Sequence, residues 1–215
     1  MIKSSKKWIR LVPYVKSFLI NTQFFMAQLS EQKMRAFALR HLEQYVPFFA
    51  QFPGLSRRYL RDLLEMWSTG DETTRLLAFS NIHEMGITCP SPFLDLCLKG
   101  TYLTYVRSSR LVNTGTLPLL TFMRNCVVEL CGIDVAASYR VAFVYIRQLA
   151  VHLRDVLLSK GTEKGAADAV HNWQFVYALS AWVEVLAQYA PSNESLRHLL
   201  FPLAQVNFGL IDLCP

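Results

Sequence analysis

Catalysis or metal binding in this chain would have to be assembled from five cysteines, five histidines and scattered carboxylates, and their spacing supplies neither. Cys89, Cys97, Cys126, Cys131 and Cys214 form an odd set with no Cys-x-x-Cys pair. Cys126 and Cys131, five positions apart, would point in different directions on a helix, which is wrong for a shared metal ion. No His-Glu-x-x-His or Gly-x-Ser-x-Gly occurs, so neither a zinc protease helix nor a nucleophile elbow is present. Gly161-Thr162-Glu163-Lys164-Gly165 has glycines and a lysine without the order or length of a phosphate loop, and reads as a solvated turn. Glu84, Asp95 or Glu129 could in principle pair for acid/base work, but helix ends and exposed faces account for them. His41, His83 and His152 fall near apolar stripes as core or boundary residues, and His171 and His198 fall near helix starts. The sequence therefore predicts a non-enzyme with no cofactor and no metal, whose thiols are reduced and mostly buried.

The cationic residues offer a different chemistry. Lys3, Lys6, Lys7, Arg10 and Lys16 form one cluster and Arg57, Arg58 and Arg61 a second. Such clusters can contact RNA phosphates in a sequence-independent, salt-sensitive way, or meet an acidic protein segment, or simply be solvated surface. The net charge of +6 is unevenly placed: residues 1 to 62 carry eleven Lys or Arg against three acids, whereas residues 165 to 215 carry one against four. An anionic partner at the N-terminal end fits that asymmetry. Trp8, Phe18, Phe37 and Tyr59 lie at helical spacing, which makes them core residues before they are stacking platforms for bases.

What positions these groups is helical throughout. Trp8, Leu11, Val12, Val15, Phe18, Leu19, Phe25, Met26 and Leu29 trace one face of a long first helix, and Met34 to Tyr45 a second that ends at Pro47. Ser56 is the expected cap of a third helix and Asp71 of a fourth running to Gly86. Ser91-Pro92 opens a fifth; Thr116 and Pro118 open a sixth that Gly132 closes; Asp134 starts a long seventh. An eighth follows the loop from Ser159 to Gly165, and a ninth runs from Ser192 to Leu213. Strict two-residue alternation is absent, so strands have no clear place. With 52% apolar residues in 215, the chain can bury a sizeable core. Its longest uncharged stretches, Ala169 to Val183, Ser17 to Ser30 and Leu199 to Ile211, are too short and too interrupted to span a bilayer. The expectation is an all-α, HEAT/armadillo-like helical repeat, an α-solenoid of about nine helices in antiparallel pairs, forming one domain over residues 1–215.

From Ala142 to Arg154 the sequence Ala-Phe-Val-Tyr-Ile-Arg-Gln-Leu-Ala-Val-His-Leu-Arg resembles a signature stretch of the nucleolar complex protein 2 family. Cys97 to Arg107, Leu117-Pro118 with Phe122-Met123, Asn172 to Val176 and Phe201 to Gln205 agree in the same order. Looser matches precede them at Val46-Pro47-Phe48 and Leu76 to Phe79. The resemblance implies a nucleolar and nucleoplasmic scaffold without catalytic residues, acting in assembly, maturation and export of large ribosomal subunit precursors. Its implied partners are other nucleolar complex proteins, members 1 and 3 of that group, with pre-ribosomal particles and RNA; no membrane is implied. Arg147 and Arg154 in the signature stretch are candidate partner contacts, with ion pairs to residues such as Asp155 or Glu129 as the alternative. A HEAT-like adaptor for nuclear transport or chromatin-associated proteins, binding protein alone, is the other reading. Family members are longer, and Leu210, Ile211 and Leu213 are still apolar at Cys214-Pro215, so the chain reads as a partial one, truncated at both ends, with a sticky last helix.

Overall fold

The computed structural model describes residues 6–158 and 170–213, apart from the side chain of residue 27. All regular structure among the described residues is helical: α1 (Lys6–Gln28), α2 (Gln32–Leu42), α3 (Val46–Phe49), α4 (Pro53–Thr69), α5 (Glu72–Thr88), α6 (Phe93–Ser108), α7 (Leu117–Cys131), α8 (Val135–Leu158), α9 (Trp173–Tyr189), α10 (Glu194–Arg197) and α11 (Leu200–Ile211). The chain divides into two compact units, Met1–Cys97 and Leu98–Pro215.

In the first unit α4 and α5 form the central hairpin. Their connection is only Gly70 and Asp71, and such a short link forces the helices antiparallel. Gly70 is required there because a Cβ would lie 2.6 Å from the Met66 carbonyl oxygen and 2.8 Å from Thr74 Cγ2. Tyr59 on α4 donates to Asn81 Oδ1 on α5 at 2.8 Å, and Asn81 Nδ2 donates in turn to the Leu39 carbonyl at 3.2 Å. That relay ties α2, α4 and α5 together and satisfies polar groups that would be costly to bury alone. Leu39, Leu42, Val46, Phe49, Leu63, Trp67, Ile82 and Met85 close the core around it, with Phe49 stacked on Tyr59 at 4.4 Å.

In the second unit α9 packs against α7, α8 and α11. Trp182 on α9 is the centre of the core: its ring lies 4.8 Å from that of Tyr102 on α6 and 6.3 Å, nearly parallel, from that of Tyr145 on α8. Helix α11 crosses α8 closely enough that a Cβ at Gly209 would lie 2.8 Å from Leu153 Cδ2.

Several helix limits differ from the sequence reading, each for a local reason. Helix α4 starts at Pro53, so Ser56 is inside its first turn and not its cap. Its hydroxyl is buried and donates to the Phe49 carbonyl at 2.6 Å. Pro47 does not end the second helix but sits in the first turn of α3, where its missing N–H costs nothing. The expected ninth helix is two pieces, because Pro202 has no N–H to donate to a preceding turn and is accommodated only in the first turn of α11. The expected Ser159 to Gly165 loop, including Gly161 to Gly165, lies outside the described residues, as does Cys214.

The larger difference concerns α1. Of the apolar positions assigned to one buried face, Leu19 and Met26 are buried, while Leu11, Phe18 and Phe25 are about half exposed. Phe37 on α2 is also exposed, whereas Tyr59 is buried as expected. Leu19 and Met26 face the protein, and the line through Leu11, Phe18 and Phe25 runs along the flank of that buried side. Phe18 meets the Tyr45 ring edge-on at 5.4 Å, so the line is only partly covered among the described residues.

Candidate functional site

Helix α4 carries the more uniform of the two cationic surfaces. Ser56, Tyr59, Leu60, Leu63 and Trp67 form its buried side, which leaves Arg57, Arg58 and Arg61 together on the outer side, one turn apart. All three are exposed, and no salt bridge holds any of them among the described residues. Asp62 lies beside them. Burial raises its carboxyl above the usual carboxylate range, although Arg58 and Arg61 pull the other way. No large apolar side chain is exposed on α4, so this surface offers guanidinium forks with the carboxylates of Asp62 and Glu65 among them. The forks suit phosphate oxygens.

Helix α1 differs in kind. Lys6, Lys7, Arg10 and Lys16 are exposed, and Lys3 lies outside the described residues. Around them Ile9, Leu11, Tyr14, Phe18, Ile20, Phe24 and Phe25 are exposed as well. The structure places the Lys6, Lys7 and Arg10 end of α1 away from the start of α4, with Lys16 between. Trp8 stacks on Phe48, whereas Gln23 donates to the carbonyl of Leu55, next to the arginines of α4. Trp8 and Gln23 are separated by roughly 20 Å of helix.

In the second unit Arg147 and Arg154 are both exposed on α8, but in different settings. Arg154 pairs with its neighbour Asp155 at 3.1 Å, one of the two ion-pair alternatives the sequence offered. Arg147 has no ion-pair partner among the described residues and lines a shallow pocket of about 300 Å³ with Phe143, Val144, Gln148, Val151 and His152. Phe143 and Val144 are nearly half exposed there. These two contact candidates were not singled out by periodicity, since an aromatic in a helical stripe signals core. A second pocket of about 310 Å³ lies between α6, α8 and α9, with Gln148, His152, Asn172 and Gln174 as its polar lining. The ion pair of Arg124 with Glu184 at 3.5 Å joins α7 to α9 and was invisible in sequence because the partners are far apart along the chain.

Chemistry beyond binding has little to work with. Cys89, Cys97, Cys126 and Cys131 are buried, and none of them forms a disulfide among the described residues. Burial pushes the thiol of Cys89 up to about 11 and that of Cys131 up to about 12, so both stay protonated and unreactive near neutrality. Burial likewise raises the Tyr59, Tyr102 and Tyr105 phenols. Among the described residues no three His, Cys, Asp or Glu side chains converge to hold a metal ion. No helix among the described residues is long and apolar enough to cross a membrane.

Residues 92–215 match the model of the Noc2p family. Nucleolar complex protein 2 of Drosophila melanogaster is 37% identical over 98% of this chain, which covers 27% of that protein. Nucleolar complex-associated protein 2 of Arabidopsis thaliana is 35% identical over 100% of this chain and 28% of its own length. The nucleolar complex protein 2 homolog of Caenorhabditis elegans is 32% identical over 94% of this chain and 28% of its own. The chain thus spans little more than a quarter of the length of these three relatives. With a family model covering more than half of its residues, and relatives above 30% identity along nearly all of it, this chain belongs to the Noc2p family.

Proposed function

We propose that this chain is a helical section of a non-enzymatic scaffold that works in the nucleolus and nucleoplasm on assembly, maturation and export of large ribosomal subunit precursors. Its likeness along nearly its whole length to nucleolar complex 2 proteins carries the reading. In that scaffold the outer side of α4, with Arg57, Arg58 and Arg61, approaches pre-ribosomal RNA. The outer side of α8, with Arg147 beside Phe143 and Val144, takes a protein partner, for which members 1 and 3 of the nucleolar complex group are the candidates. Arg147 supports that division because a guanidinium set among exposed apolar side chains resembles the centre of a protein interface more than a phosphate track.

Purification of the full-length gene product, with identification of bound protein and RNA, tests the scaffold. Recovery of nucleolar complex proteins with ribosomal precursors is expected; a clean complex free of RNA would overturn the reading. On the chain itself, the triple change Arg57→Glu, Arg58→Glu and Arg61→Glu should weaken binding to unrelated single-stranded RNAs alike. It should also lower the slope of log affinity against log salt by roughly 0.7 for each lost phosphate contact. Unchanged RNA affinity, or salt-insensitive binding to one protein alone, would favour the adaptor for nuclear transport or chromatin-associated proteins. The exposed apolar residues of α8 are what recommend that second reading.

A further inference from the structure

The outward line of α1 has a regular spacing. Leu11, Tyr14, Phe18 and Phe25 are three, four and seven residues apart, and Asn21 occupies the step between the last two. This is the alternation of three and four that lines up side chains for a second helix lying nearly parallel in axis. All four large residues are substantially exposed, Tyr14 at 74%. The adjoining side of the helix is already committed, through Leu19, Gln23 and Met26, to the first unit, and Phe18 touches the Tyr45 ring with one edge while staying about half exposed. A 23-residue helix is thus held along one side and offers a knobs-into-holes seam along the other.

Charge says which helix the seam fits. Between Lys6 and Gln28 there are four basic residues and no acid. Lys6, Lys7 and Arg10 stand in the first turns, the end where a helix dipole is already positive and where basic residues are least favourable. Phe18, Phe24 and Phe25 stand toward the other end. The face is therefore polarised along its axis, cationic at the start and aromatic toward the finish. A helix lying in a lipid surface needs its apolar residues on one side along its whole length with cations flanking them, which is a different arrangement.

We propose that α1 docks an amphipathic partner helix whose apolar stripe covers Leu11, Tyr14, Phe18 and Phe25 and whose acidic residues meet Lys7 and Arg10. It names the partner chemistry of one surface of the proposed scaffold and rests on that reading only in taking the first unit to be built for covering. RNA contact by α4 is a separate matter.

The test uses the 215-residue chain and a labelled 21-residue peptide with a leucine heptad stripe and glutamates on its remaining face. Probes for comparison are the same peptide with lysine for glutamate, a 20-nucleotide polyuridine, and vesicles of phosphatidylcholine with phosphatidylserine. The glutamate peptide is expected to bind, and Lys7→Glu with Arg10→Glu to weaken it about tenfold, as expected for two charge pairs at an exposed interface. Tyr14→Ser with Phe25→Ser, both at exposed positions, should weaken it at least as much with the circular dichroism unchanged. The Arg57→Glu, Arg58→Glu, Arg61→Glu variant should bind the peptide within about twofold of the parent, since its charges lie on the other helix. Equal binding of the lysine peptide, equal loss in the α4 variant, insensitivity to the α1 substitutions, or binding of vesicles or polyuridine through α1 in place of the peptide would overturn the proposal. Failure of polyuridine to bind α4 would count against the RNA role and leave the peptide result standing.

Discussion

Asp71 shows how much a single side chain does at a helix start. It occupies the N-cap of α5 with extended backbone, and its carboxylate accepts the Thr74 hydroxyl. That hydrogen bond is the chief reason its carboxyl titrates below the usual range, with backbone amides adding to it. A carboxyl whose folded pKa is depressed stabilises the fold above its unfolded pKa of about 3.9 and loses that contribution as pH falls through the folded value. Asp71→Ala should therefore cost on the order of 0.5 kcal/mol near neutrality, a modest figure because solvent screens the group. Urea midpoints of the two proteins should converge as pH falls from above about 4 down through the folded value. A gap that stays constant over that window would show that the carboxylate's charge is not what caps the helix. The same logic of local hydrogen bonding holds at Asp134, whose two carboxylate oxygens accept from the amides of Ala136 and Ala137, and at Asn172, which accepts from Phe175.

Between helices, the same residue type has opposite consequences according to what it faces. Trp182 on α9 is 1% exposed and packs between Tyr102 and Tyr145, while Trp173, at the start of the same helix, is 55% exposed. Trp182→Ala should cost roughly 3 to 5 kcal/mol, since both the transfer term and a residual cavity count against it. Trp173→Ala should stay within about 0.5 kcal/mol. Denaturant titration of both variants checks this, and a comparable loss at Trp173 would mean that its ring is held in solution against something the fold does not show. Helix α9 could not have announced the difference, because its apolar residues recur on more than one side, and α7, α8 and α11 select the side that is buried.

At the scale of the molecule, uncovered apolar surface is the dominant feature. On α11 the outward line is Phe201, Ala204, Phe208 and Ile211, again three and four apart, with the two phenylalanines and Ile211 each more than 60% exposed. The 215-residue chain is therefore expected to self-associate in sedimentation velocity as concentration rises, and Phe201→Lys with Phe208→Lys to reduce that association. A chain that stays monomeric throughout, or a variant that associates as before, would show that this face is not adhesive. Of the apolar residues that the sequence leaves near its end, Ile211 faces outward and Leu213 is buried. What the amino-acid order determined by itself was local: the helices, whose 3.6-residue spacing and capping residues at Asp71, Thr116, Asp134 and Gly132 act within a turn or two of chain, and the sparse chemistry of the cysteines and histidines. Family membership was legible too, in the stretch from Ala142 to Arg154. Tertiary structure decided which of several apolar lines on each helix is covered. It buried Leu19 and exposed Phe18, paired Arg124 with Glu184, left Arg147 open, and set the Lys6, Lys7 and Arg10 end of α1 away from the start of α4. Burial depends on which distant segments arrive to cover a face, and periodicity along one helix carries no information about that.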